Sequence, residues 1–268
     1  MFDIWCLYSK VLIINKIKIK NNYHKYKKRR DFLKKNFILI LLLGIVVAAS
    51  GCIGSGGSGS GNVINETAKV SGFEEVVFDG TGDIIIKQGE TESLIIEAED
   101  NVIPTIKTSV DNKKLTINYD GAIAPTKTPK FYLTVKDISS IEISGAGELN
   151  ADKLNLDNLN VIVNGAANGN LNNITLKELT VSITGAGKLS ASGSADKQTI
   201  VVNGAGDYTA MSLDTKNTSI TINGAGKGTV RASSVLNAVI NGFGEISYFG
   251  NPDVTKQING GGQINKAS

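Results

Sequence analysis

The sequence predicts an all-β protein, a parallel β-solenoid with rungs of about 20 residues. Two observations lead to this fold class. A short glycine-rich motif recurs seven times at nearly constant spacing, and each copy follows a segment in which β-branched and polar residues alternate. Alternation with period two is typical of strands, and the abundance of glycine and β-branched residues argues against helix.

Each copy of the motif has a small polar residue, then glycine, then usually Ala-Gly, as in Asn203–Gly206 and Asn223–Gly226. The first glycines of the seven copies are Gly145, Gly165, Gly185, Gly204, Gly224, Gly242 and Gly260. Their spacings are 20, 20, 19, 20, 18 and 18 residues. Three short strands in one period form a rung that cannot bury its apolar side alone, so the rungs are expected to stack.

Stacking makes several columns of side chains predictable. Equivalent residues lie about 4.8 Å apart on successive rungs, so the inward Val and Ile residues form aliphatic columns. The Asn, Ser and Thr residues before the glycines can hydrogen-bond along their own column. The seven first glycines are expected at tight corners with positive φ or close backbone contact.

Residues 63–140 are predicted to be less regular rungs of the same solenoid. Phe78–Asp83 contains a Gly-Thr-Gly motif between two alternating segments, and Asp111–Lys114 indicates a hairpin turn. Residues 122–130, with two prolines, are expected to form a loop. Because no linker interrupts residues 63–268, we expect one domain there.

The first 51 residues have the pattern of a secretory leader. They contain 11 Lys and Arg against 2 Asp and Glu, and the 13 residues from Phe37 to Ala49 are apolar or small. That stretch is shorter than the roughly 20 residues of a spanning helix. Ala49–Cys52 is similar to a lipobox, which predicts lipidation of Cys52. The alternative is an uncleaved signal anchor. Residues 1–32 are long for a leader, which suggests that they lie upstream of the true start.

Residues 52–62 are predicted to be a flexible tether, because a Gly/Ser run follows Cys52. From Cys52 onward the chain has 17 Lys and Arg against 23 Asp and Glu. This mildly acidic balance argues against nucleic acid as a partner. The chain's only histidine and both cysteines lie at or before residue 52, so no disulfide is expected within the solenoid.

From Phe73 through the repeats to Pro252, the chain resembles the GIN-domain family of "putative auto-transporter adhesin" heads. The most specific part is Asn241-Gly-Phe-Gly followed by Tyr248-Phe-Gly-Asn-Pro252. The resemblance implies a right-handed parallel β-helix in an extracytoplasmic setting, often on lipoproteins. It defines no catalytic residues.

The position after each Gly-x-Gly motif forms a candidate charge ladder. Its residues are Glu148, Asn168, Lys188, Asp207, Lys227, Glu245 and Gln263. From Lys188 to Glu245 the sign alternates, as expected of a surface ladder that stabilises register modestly. A carboxylate cluster for catalysis, or a repeated Ca²⁺ site, would not place lysine at two of these positions.

Other candidate residues are isolated. Arg231 has Met211 and Phe249 at the equivalent positions one rung away and no acidic neighbour in its column, so we expect it either to snorkel or to stack on an aromatic ring. Tyr248 and Phe249 are expected in core or cap packing, with an exposed contact patch as the alternative. The sequons begin at Asn65, Asn173 and Asn217 and are candidate glycosylation sites.

The sequence therefore predicts a membrane-tethered, extracytoplasmic binding or structural module of the adhesin type. It indicates no catalytic residue, cofactor or metal site. Surface glycans or envelope proteins are the expected partners, and the oligomeric state is not predicted. The alternatives are an enzyme acting on polysaccharide, which would need convergent carboxylates, and a binding subunit of an envelope complex.

Overall fold

The computed structural model describes residues 57–119, 121 and 123–267. The predicted leader, Cys52 and the first part of the predicted tether lie outside the described residues. Apart from a 3-10 turn at Ile103–Thr105, every regular element is a strand. The strands are β1 (Gly57–Ser58), β2 (Val63–Ala68), β3 (Glu75–Gln88), β4 (Ser93–Glu99), β5 (Ile106–Asp111), β6 (Lys114–Tyr119), β7 (Ile123–Ala124), β8 (Lys130–Val135), β9 (Ser140–Asp152), β10 (Asn155–Gly165), β11 (Asn168–Gly185), β12 (Lys188–Gly204), β13 (Asp207–Gly224), β14 (Lys227–Arg231), β15 (Val235–Gly242), β16 (Glu245–Phe249), β17 (Asp253–Gly260) and β18 (Gln263–Lys266).

Parallel stacking from β9 to β18 confirms the predicted solenoid. Val161 pairs with Val181, Val181 with Ile200, and Ile200 with Ile220, so each step is one repeat. These residues are buried. The inward columns of Val, Ile and Leu therefore form the core, and the solenoid is stabilised mainly by burial of this apolar surface.

The predicted asparagine column also forms. The amide nitrogen of Asn223 donates to Asn203 Oδ1, Asn241 donates to Asn223, and Asn259 donates to Asn241, each at 2.8 Å. All seven first glycines have positive φ. Each lies against the carbonyl oxygen of the glycine one rung earlier, Gly80 in the case of Gly145.

The N-terminal part departs from a simple stack. Strand β3 pairs in parallel with β9, β6 and β8, as a rung should, but β4 is antiparallel to both β2 and β8. The predicted hairpin turn joins β5 and β6, with positive φ at Asn112 and Lys113. Two consecutive residues of this kind form a turn whose twist suits an antiparallel pair.

Residues 57–62, which the sequence assigns to the flexible tether, are hydrogen-bonded to the body. Strand β1 pairs with β7, inside the predicted loop at 122–130. The buried carboxylate of Glu99 accepts the Gly61 N–H at 2.6 Å and the hydroxyl and N–H of Thr126 at 2.6 and 2.8 Å. Asp100 accepts the Ser60 hydroxyl at 2.5 Å. We call Glu99, Asp100 and Asn101 the clasp, because all three bond to residues 57–62.

The C-terminal rung contains a charged residue at an inward position. Lys256 pairs with Ala238 in the column that holds Ile220 and Ile200 on earlier rungs. Its ammonium donates to the Ile264 carbonyl at 3.0 Å and lies 5.1 Å from the Tyr248 ring centroid. An inward charge of this kind disfavours the addition of another strand to an open edge. Across the described residues, no helix is long and apolar enough to span a membrane.

Candidate functional site

A long groove runs across the rungs on one side of the solenoid. Its larger part has a volume of about 820 Å³, and a smaller part of about 560 Å³ adjoins it. Both parts are lined by Asn155, Leu156 and Asp157, so the two depressions adjoin each other along one surface. We call it the lateral groove. It reaches from Asp137 to the end of the stack at Asn251.

Equivalent positions on successive rungs line the groove. One column is Leu156, Leu176, Ala195 and Thr215, all nearly buried. Beside it are exposed residues of alternating sign on successive rungs, Asp157, Lys177, Asp196 and Lys216. Lys177 pairs with Asp157 and Lys216 with Asp196, each at 2.8 Å. Hydrogen bonding to Asp196, reinforced by its charge, raises the pKa of Lys216.

Arg231 lines the groove at the level where the rungs become shorter. Asn217 lies seven positions after Ala210 in the sequence. Their register partners on the next rung are Val230 and Val235, which lie only five positions apart. The chain therefore lacks two residues at this place in the later rungs. The 18-residue spacing of the last glycines is the signal in the sequence that could have indicated this step.

The surroundings of Arg231 agree with the expected aromatic contact and add an acidic one. Its guanidinium carbon lies 5.5 Å from the Phe249 ring centroid, and Nε donates to the Met211 carbonyl at 2.8 Å. No acidic neighbour was expected for Arg231, because Met211 and Phe249 occupy the equivalent positions on the adjacent rungs. The structure places Asp214 beside it from a different column, with 3.6 Å between Asp214 Oδ1 and Arg231 Nε.

A buried polar network lies next to this end of the groove. Gln198 accepts the Tyr208 hydroxyl at 3.0 Å and donates to the hydroxyls of Thr215 and Thr218 at 3.0 Å. Thr215 donates to the Arg231 carbonyl at 2.5 Å. Burial raises the pKa of Tyr208, which keeps this hydroxyl protonated. This network was not predicted from the sequence. A signal was present, because Gln198 and Thr218 are polar residues in an inward column that holds leucine at positions 159, 179 and 236.

The charge ladder forms as predicted, outside the groove lining. Glu148, Asn168, Lys188, Asp207, Lys227, Glu245 and Gln263 are successive register partners. Lys188 lies 3.5 Å from Asp207 and Lys227 lies 3.8 Å from Glu245. Asp83 extends the column above Glu148. Partial burial, with the charge of Glu148 second, raises the pKa of Asp83.

The structure does not bring the other candidate residues together. Asn65, Asn173 and Asn217 are exposed on three different strands. The side-chain amide of Asn173 donates to Asp152 Oδ1 at 3.0 Å. Tyr248 is buried, as expected of core packing, and Phe249 is half-buried beneath Arg231. Within the part of the chain that the structure describes, no three His, Cys, Asp or Glu side chains cluster as metal ligands would.

The fold is shared with several solved structures. One, titled as a putative adhesin from Bacteroides fragilis, has 24% identity and a TM-score of 0.75, covering 79% of this chain and 100% of its own. A second, titled as a putative lipid binding protein from Parabacteroides distasonis, has 23% identity and a TM-score of 0.66, with 79% and 99% coverage. A third, a putative adhesin from Parabacteroides distasonis, has 22% identity and a TM-score of 0.62, with 79% and 99% coverage.

No curated protein sequence matches this chain. The sequence profile of one family does match, over residues 72–252, and that family is described as "Putative auto-transporter adhesin, head GIN domain". The matched region takes in most of the solenoid, from β3 to the start of the last rung, and it agrees with the resemblance found in the repeats. The chain therefore belongs to the GIN-domain family of "putative auto-transporter adhesin" heads.

Proposed function

We propose that this protein is an envelope-anchored, non-catalytic binding module of the adhesin type, and that its lateral groove holds an extended ligand. The observation that carries the proposal is the length of the groove. Between the levels of Asp137 and Ser233 it crosses five steps between rungs, or about 24 Å at ~4.8 Å per step. Linear chains, such as a glycan or an extended peptide, suit a groove of this shape.

The charges in the groove support binding rather than catalysis. Hydrolysis of a glycan needs two carboxyl groups placed across the scissile bond, one of them with a raised pKa. The three aspartates of the larger depression are instead each beside a cation. Asp157 and Asp196 pair with lysines at 2.8 Å, and Asp214 lies 3.6 Å from Arg231. Each of these carboxylates therefore faces a cation of the protein, whereas the two carboxyl groups of a glycan-cleaving site face the scissile bond.

The first experiment is a screen of the full-length chain, held in detergent, against glycan and peptide arrays. The groove variant is Lys177→Glu, which places three negative charges in succession and should weaken ligand binding at least tenfold. Lys107→Glu, at an exposed lysine outside the groove lining, is the matched control. Equal binding by both variants and the wild type would contradict the assignment of the groove.

Two further results would favour the alternatives. Release of shortened sugars from a bound glycan would show a polysaccharide-cleaving enzyme. Stoichiometric co-purification with envelope proteins, unaffected by Lys177→Glu, would indicate a subunit of an envelope complex that binds through another surface.

A further inference from the structure

One broad sheet face of the solenoid has no charged residue over six rungs. It is formed by the outward side chains of β10, β11, β12, β13, β15 and β17, in three columns of six. The first column is Asn160, Thr180, Thr199, Ser219, Asn237 and Thr255. The second is Ile162, Ser182, Val201, Thr221, Val239 and Gln257. The third is Asn164, Thr184, Asn203, Asn223, Asn241 and Asn259. All 18 side chains are half-buried or exposed, and we call this surface the uncharged face.

The composition of the chain does not account for the missing charge. The charge ladder, another outward column of the same solenoid, is charged at five of its seven positions, from Glu148 to Glu245. Charges also border the uncharged face. Glu142 lies directly above Ile162, and Glu178, Lys197 and Asp253 lie in the next outward column along the strands. An uncharged centre within a charged rim is the usual composition of an interaction surface.

The chemistry of the face suits a partner that is neutral and rich in hydroxyl groups. In the asparagine column, Asn223 and Asn241 each give one N–H and one oxygen lone pair to their neighbours, whereas Asn203 only accepts and Asn259 only donates. A second N–H and a second lone pair remain on each side chain. Thr and Ser hydroxyls both donate and accept, as sugar hydroxyls do. The methyl groups of Val201, Thr221 and Val239 offer apolar contact in the centre of the face.

Two other kinds of partner fit less well. A polyanion would gain no Coulomb attraction here, because the face has no cation. A second copy of the chain would bury too little area on this face to form a stable dimer. Three columns and six rungs measure about 13 Å by 24 Å, or about 300 Å², against about 800 Å² per partner in a stable protein–protein interface. A polymer that repeats weak contacts along its length does not need a large single area.

We propose that the uncharged face is a second binding surface, separate from the lateral groove, and that it holds neutral polysaccharide. The sugar chain lies on the flat sheet and exchanges hydrogen bonds with the Asn, Thr and Ser columns at the spacing of the rungs. The proposal does not depend on the groove having a ligand.

The test measures retention of the full-length chain on insoluble cellulose and mannan, with polygalacturonate as the anionic comparison. Thr221→Glu puts one charge in the centre of the face and should reduce retention on a neutral polysaccharide at least tenfold. Thr229→Glu is the matched control, since Thr229 is a half-buried outward residue of β14, outside both the face and the groove. Circular dichroism of both variants checks that they fold.

Three results would overturn the proposal. The first is that the wild type is retained by neither neutral polysaccharide. The second is that Thr221→Glu and Thr229→Glu lower retention equally. The third is a concentration-dependent dimer in sedimentation velocity that Thr221→Glu abolishes, which would assign the face to a second copy. If the second result comes with a loss of retention in Lys177→Glu, the polysaccharide is held by the groove and not by the uncharged face, so a failure of this proposal is distinguishable from a failure of the groove proposal.

Discussion

The backbone conformations and surroundings of Gly204 and Gly224 leave no room for a side chain at either corner. Gly204 has φ +125°, and a Cβ atom there would lie 2.6 Å from the Gly185 carbonyl oxygen. At Gly224 the corresponding values are +139° and 2.3 Å from Gly204 O. The rung above therefore occupies the space that any side chain would need, in addition to the backbone strain.

Replacing Gly204 or Gly224 by valine should therefore destabilise the solenoid clearly. Backbone strain alone is of order 1–3 kcal/mol, which corresponds to a fall in Tm of roughly 2–12 °C for a domain of this size. Thermal unfolding would measure it. Ser212→Val is the control, since Ser212 is exposed in β13. Ser192 is a poorer control because its hydroxyl accepts the Asn173 N–H. Equal, small effects at all three positions would mean that the glycines are not required at the corners.

Glu99 makes the attachment of residues 57–62 sensitive to pH. The hydrogen bond from the Thr126 hydroxyl, helped by the N–H groups of Gly61, Thr126 and Lys127, holds the pKa of Glu99 below its ordinary value. Bonds from Ser60 and Asn62 lower the pKa of Asp100 in the same way. For a carboxyl whose pKa is lower in the folded state, the stabilisation is present above the unfolded pKa, about 4.3 for Glu. It is lost as pH falls through the folded pKa.

We therefore expect residues 59–62 to detach from the body at acidic pH, as the pH falls below the ordinary Glu pKa of about 4.3. Hydrogen exchange, corrected for the intrinsic effect of pH, should show faster exchange of the Gly61 and Thr126 amides there. Glu99→Gln keeps one acceptor oxygen and replaces the other by an NH₂ group, which cannot accept, so at least one of these two amides should exchange faster at neutral pH. Amides of Val181 and Ile200 in the core provide the internal control. Unchanged protection of both the Gly61 and the Thr126 amides in Glu99→Gln would contradict the clasp.

At the scale of the structural elements, a hydrogen bond between two buried side chains connects β12 and β13 inside the core. The hydroxyl of Tyr208 has Gln198 as its partner, and both residues are buried. Tyr208→Phe or Gln198→Leu alone leaves a buried polar atom without that partner, which costs about 1–3 kcal/mol. The double variant removes both atoms, so its loss of stability should be smaller than the sum of the single losses. Urea unfolding of the four proteins gives the coupling, and strict additivity would contradict the network.

The periodic elements were predictable because each rung repeats the environment of the last. Val161, Val181 and Ile200 could be aligned from spacing alone, as could the charges from Lys188 to Glu245. The groove could not, because its shape depends on how sharply each rung bends and on two residues missing after Val230. The clasp could not be predicted from the sequence for a different reason. Composition marks residues 57–62 as flexible, whereas Glu99, a distant residue, provides the bonds that hold them.

The arrangement of the whole molecule depends on how residues 57–62 meet the predicted anchor. If Cys52 is lipidated, only residues 53–56 remain between the lipid and the bonded segment. Covalent geometry limits four residues to a reach of at most about 14 Å, compared with about 36 Å for ten residues. A shorter tether would hold the body nearer the membrane surface and narrow the range of directions in which the groove and the uncharged face can point.

Cys52→Ser tests the anchor on which this arrangement depends. The thiol is the group that would accept the lipid, so the serine variant should lose metabolic lipid label, and its processing or its membrane retention should change. Cys6→Ser, in the leader, should keep both the label and the membrane association. Mass spectrometry of the mature N-terminus separates the alternatives, because a lipoprotein begins at a modified Cys52, whereas an uncleaved signal anchor retains the leader. An unlipidated wild-type chain that begins elsewhere would refute lipidation. A wild-type chain that carries no lipid label and retains its leader would instead identify the signal anchor.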